Sequence, residues 1–112
     1  MEAKHVKTVY NAFGIVLGNC WGGDKCTYEA TKLNGFDSID SLFEEINKRL
    51  KDGSLDSGMG FVNLIGAIFD INEIETIECN EKRYTNVNTL TEFFGKMSKE
   101  EREFLEDCFY TL

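Results

Sequence analysis

The chain reads as an α+β domain in which an antiparallel sheet of two hairpins packs against two or three helices. Three observations predict this class. Residues 6–17 are rich in β-branched and aromatic side chains, residues 39–50 carry an apolar repeat of helical period, and Ser98 with Glu101 forms a capping-box pattern ahead of a second apolar stripe. The 112 residues, 42% of them hydrophobic, suit a single domain over 1–112, and nine Phe, four Tyr and one Trp supply a core without metal or disulfide support.

Taken in order, Phe13, Ile15 and Leu17 alternate against Ala12, Gly14 and Val16 at the end of a first strand. Turn residues at 18–24 lead to a second strand over 26–32, which makes a long-looped hairpin. Asp37 or Ser38 caps a helix with Ile39, Leu42, Phe43, Ile46 and Leu50 on one face. Lys48, Arg49 and Lys51 lie in its last turn, and Gly53 is placed to end it. Residues 61–66 suit a short buried helix, followed by extended segments at 67–71 and 74–79 with a bulge or bend near Asn72-Glu73. A turn at Asn80-Glu81-Lys82 starts the second hairpin, and Phe104, Leu105, Cys108 and Phe109 form the buried stripe of the C-terminal helix. Glycines 53, 58 and 60 serve a chain reversal between helices.

The formal charge is −8 and is unevenly placed: residues 1–36 hold four Lys against three Asp/Glu, whereas 37–112 hold eight Lys/Arg against seventeen Asp/Glu. Such a field disfavours direct nucleic acid and anionic lipid and steers basic partners. No apolar run reaches the ~20 residues of a membrane span, and the N-terminus lacks a secretory pattern. The expectation is a soluble protein of a reducing cytoplasm with Cys20, Cys26, Cys79 and Cys108 all as thiols.

Catalytic signatures fail one by one. Cys20-Trp21 resembles the neighbourhood of a papain-type nucleophile, but the single histidine, His5, is remote and the chain is short for that fold. Gly18 and Gly23 have phosphate-loop spacing, yet Asp24 follows where Lys and Ser/Thr are required. The cysteine spacing is wrong for a zinc knuckle, and Asp52, Ser54 and Asp56 begin a calcium loop whose later positions are Ser57 and Asn63. No enzyme, metal or cofactor is expected, and no residue is assigned to catalysis.

The strings Gly18-Asn19-Cys20-Trp21-Gly22-Gly23, Asp52-Gly53-Ser54-Leu55-Asp56-Ser57-Gly58-Met59-Gly60-Phe61 and Leu64-Ile65-Gly66-Ala67 resemble small uncharacterised proteins of bacteriophages and mobile elements of Gram-positive bacteria. The resemblance implies a context rich in small inhibitors of host defences, anti-CRISPR proteins among them, and it carries over no functional residue.

Three functions are compatible with these residues. The leading one is an acidic binding protein that occupies a basic, nucleic-acid-binding surface of a larger protein. Its carboxylates are a strand row of Asp70, Glu73, Glu75, Glu78 and Glu81 or a helical row of Glu100, Glu103, Glu106 and Asp107, with Trp21 as contact. Strand residues two apart are spaced about as phosphates are along one strand of DNA. The others are a subunit or scaffold anchored by Trp21, Phe93 and Phe94, and a small ligand-binding protein or enzyme using the glycine loops.

Overall fold

The structure is a computed structural model that describes residues 2–56 and 60–111. Among these, five strands and two helices follow in the order β1 (Lys4–Asn19), β2 (Lys25–Glu29), β3 (Leu33–Phe36), α1 (Ile39–Asp52), β4 (Asn63–Cys79), β5 (Lys82–Gly95) and α2 (Lys99–Tyr110). All strands belong to one antiparallel sheet of order β2-β1-β4-β5, with β3 also pairing β1. The class is α+β, as read from the sequence, with two helices among the described residues. No helix is long and apolar enough to cross a membrane.

Both helices form where local rules place them. Ser38 caps α1 by accepting from the Ser41 N–H, and Gly53 closes it in the left-handed region at φ 81°. Ser98 and Glu101 complete the capping box of α2. Leu42 and Ile46 of α1 pack on Val16, Ala67, Phe69 and Phe94. On the opposite sheet face, Leu105 and Phe109 of α2 pack on Ile15, Leu17 and Ile68. The helices thus sandwich one end of the sheet. The strands continue beyond them as a three-stranded arm of β1, β4 and β5, so the molecule measures 61 × 25 × 20 Å.

Several expectations need correction. Residues 61–66 hold no helix, and 63–79 form one strand. Helices cover both faces of its first half, so that half is a continuous apolar run with no period to read. Past Ile71 the covering ends and polar residues appear, which is the change of phase at Asn72-Glu73. No bulge interrupts β4 there: its register with β5 is unbroken from Gly66↔Gly95 to Cys79↔Lys82. The irregularities lie between β1 and β4, at His5/Lys7 and Leu17/Gly18. The second strand also ends early, because the chain turns after Glu29 and returns to β1 as β3.

The turn at Asn80 and Glu81 is a two-residue hairpin with both residues at positive φ, 54° and 65°, the geometry that matches strand twist. At the other end of the arm, Gly14 lets β1 and β4 approach: a Cβ there would run into the Ile68 carbonyl and sit 2.8 Å from the Phe69 Cα. Gly53 and Gly60 adopt positive φ as a chain reversal needs, whereas Gly58 lies outside the described residues.

Candidate interaction site

The β1–β2 loop is closed by a disulfide between Cys20 and Cys26, whose Cα atoms are 6.3 Å apart. This overturns the expectation of four thiols. That expectation weighed compartment alone, while the antiparallel pairing of Gly18 with Cys26 brings the strand ends within bridging range. The Cys20 N–H donates to the Asp24 carbonyl at 2.8 Å and the Gly23 N–H to the Cys20 carbonyl at 3.0 Å, so the loop is also a hydrogen-bonded turn. At its tip Trp21 is 86% exposed. Cys79 and Cys108 are half-buried and form no disulfide.

Lys25, beside Cys26, reaches across to α2 and pairs with Glu101 at 3.0 Å. Glu101 in turn accepts from the Ser98 N–H at 2.9 Å. That backbone bond first, then Lys25, holds the Glu101 carboxyl below the usual glutamate value. Lys25, Glu100, Glu101 and Phe104 line a shallow hollow of about 260 Å³ between loop and helix. The β1–β2 hairpin and the first turn of α2 are therefore joined at the Lys25–Glu101 pair.

The outward face of α2 is acidic and aromatic. At 100° per residue Leu105 and Phe109 face the sheet, which turns Glu100, Glu103 and Asp107 outward with Tyr110 and leaves Glu106 on the flank. All four carboxylates are exposed, and their side chains have no partner among the described residues. Phe104 was expected in the buried stripe but is 43% exposed, at the rim of the helix beside the hollow. Sequence reading missed this side chain because it adjoins Leu105; the rotation from the buried centre could have found it.

The strand carboxylates are placed differently. Side chains alternate across a strand, so Glu73 and Glu75 share the α1 face while Asp70 and Glu78 lie on the other. Each has a neighbour within the chain. Glu73 accepts from the Tyr10 hydroxyl at 2.9 Å and Asp70 from Thr91 at 2.7 Å; Glu75 is 4.0 Å from His5 and Glu78 is 3.8 Å from Arg83. The bond to Glu73 also raises the Tyr10 pKa. Glu81 sits in the turn, so the five carboxylates do not form a single row.

The expected aromatic anchors divide likewise. Phe94 is buried against Phe43 and Phe69, and Phe93 lies half-buried under the Arg102 guanidinium at 5.1 Å, so only Trp21 projects. A hollow of about 470 Å³ at the arm tip is lined by Glu2, Lys4, Glu78, Asn80 and Glu81, without the apolar walls of a small-molecule site. Among the described residues no three His, Cys, Asp or Glu side chains gather as metal ligands. Comparison with protein-family models, with curated proteins and with solved structures finds no match.

Proposed function

We propose that this chain is a small binding protein of inhibitor type that seats the outward face of α2, with Trp21 and Phe104 beside it, on a basic surface of a larger protein. The observation that carries the reading is a contrast between the two helices. α1 obeys the dipole rule, with Asp40 in its first turn and Arg49 and Lys51 in its last. α2 has Glu100 and Glu101 in its first turn and no basic residue in its last, where Asp107 lies instead with Glu106 just before it.

Carboxylates at the negative end of a helix weaken it by a few tenths of a kcal/mol each. Helix stability therefore does not account for them, and a basic partner does. Exposed aromatics beside the charge supply the desolvated contact that charge alone lacks. A nucleic-acid-binding surface is basic and so complements such a face, and the resemblance to phage-borne proteins directs the search to host defence proteins. The Cys20–Cys26 bridge and the hydrogen bonds of the turn hold Trp21 at the loop tip.

Immobilised parent and the double reversal Glu103→Lys/Glu106→Lys would be used to capture proteins from host extract at low and high salt. The expected partner is basic, is retained by the parent alone, and leaves as salt rises. A partner retained equally by both proteins contradicts the reading.

A further inference from the structure

The arm leaves a sheet edge bare. β5 is the terminal strand of the sheet and pairs only with β4, along its whole length from Lys82 to Gly95. Residues 82–91 are all exposed, and within them 84–91, Tyr-Thr-Asn-Val-Asn-Thr-Leu-Thr, carry neither charge nor proline. Proteins guard such edges with charge, proline, bulges or brevity, because an unpaired row of N–H and C=O groups recruits another strand.

The rest of this sheet is guarded. The opposite edge is broken into β2 and β3, of five and four residues. The exposed start of β1 carries Lys4, His5 and Lys7 and a register shift between His5 and Lys7. β5 alone is long, regular, uncharged through its middle and open.

We infer that β5 is a dimerisation edge: it pairs antiparallel with β5 of a second copy about a two-fold axis at Val87. The register follows from two constraints. In an antiparallel strand the bonding groups of alternate residues point to opposite sides, so β5's outward groups belong to residues of one parity. Pairing β5 with itself must then match like parity, which puts the axis on a residue.

Among those registers, an axis at Val87 sets Lys82 opposite Glu92 of the second copy, and Tyr84 opposite Leu90, each twice by symmetry. An axis at Asn88 would instead set Lys82 opposite Phe94 and Tyr84 opposite Glu92. One at Asn86 would set Lys82 opposite Leu90. Only the Val87 register joins opposite charges and apolar side chains together, the pairs that stabilise a sheet. It also stops short of Phe93, over which Arg102 lies. The resulting interface is isologous, and the edges left outside it are the guarded ones, so assembly closes at two copies.

Sedimentation velocity across a concentration series tests this on the full chain. The parent is expected to show a monomer–dimer equilibrium. Val87→Asp places like charges opposite each other at the axis and should weaken it by about tenfold or more, with the circular dichroism spectrum unchanged because Val87 is 57% exposed. Glu92→Lys should weaken it too, and Lys82→Glu/Glu92→Lys should restore it. Val87→Cys should cross-link to itself on mild oxidation, mapped at residue 87 by mass spectrometry. A parent that stays monomeric at every concentration overturns the inference. So does a dimer indifferent to Val87→Asp and Glu92→Lys, or one that the double swap fails to restore.

Discussion

The Lys25 ammonium and the Glu101 carboxylate, 3.0 Å apart, tie the disulfide-closed hairpin loop to the first turn of α2. Glu101 thus serves two elements: it completes its own helix cap through Ser98 and it holds the loop that presents Trp21.

That arrangement is sensitive to acid. The folded-state pKa of Glu101 is lowered, so its stabilising contribution is fully present above the unfolded value and is lost as pH falls through the depressed folded one. The window lies at and below the ordinary glutamate range. Urea midpoints measured from neutral to acid pH should fall more steeply for the parent than for Glu101→Gln, in which the titrating group is gone. Parallel curves would show that the tie carries no linkage.

Two neighbours on α2 should behave oppositely. Leu105 is fully buried against Ile15, Leu17 and Ile68, and Leu105→Ala should cost about 2–5 kcal/mol in chemical denaturation. Phe104→Ala, at a rim position, should cost about 1 kcal/mol or less and should reduce partner binding instead. A large loss of stability from Phe104→Ala would mean that the helix is rotated.

Gly14 should tolerate no side chain. Because its Cβ would meet the backbone of Ile68 and Phe69, which cannot swing away as a side chain tip can, Gly14→Ala should destabilise by about 1–3 kcal/mol or more. An alanine variant as stable as the parent would contradict the close approach of β1 and β4.

Purified, oxidised protein should yield two titratable thiols in denaturant, and prior reduction should raise this to four, with Cys20 and Cys26 the pair released. Loop closure over so short a span is worth about 2 kcal/mol. Cys20→Ser should therefore lower stability by that order and speed tryptic cleavage at Lys25.

Much of this architecture was legible where local rules decide. Ser38, Gly53, Ser98 and Glu101 signal their caps without reference to the rest of the chain, and Asn80-Glu81 sits between two strand-like segments. β4 was illegible in its first half because two helices cover it, a tertiary fact that erases alternation. The strand carboxylates could have been sorted by numbering alone, since Asp70 and Glu73 differ by an odd count and must face opposite sides. The Cys20–Cys26 bond depends on which residues face one another across β1 and β2, and spacing does not contain that. Of the site, Trp21 and the α2 carboxylates were named from the sequence. Its junction through Lys25 and the outward turn of Phe104 required the fold.

We propose that binding runs through the outward face of α2 and not through the strand carboxylates. This is tested most directly by titrating the captured partner, over a salt series, against parent, Glu103→Lys/Glu106→Lys and Glu75→Lys, each checked by circular dichroism. The α2 reversal is expected to weaken binding by about tenfold, roughly 1.4 kcal/mol, and to flatten the salt dependence, while Glu75→Lys binds as the parent does. An α2 reversal that binds as tightly as the parent at every salt concentration would contradict it.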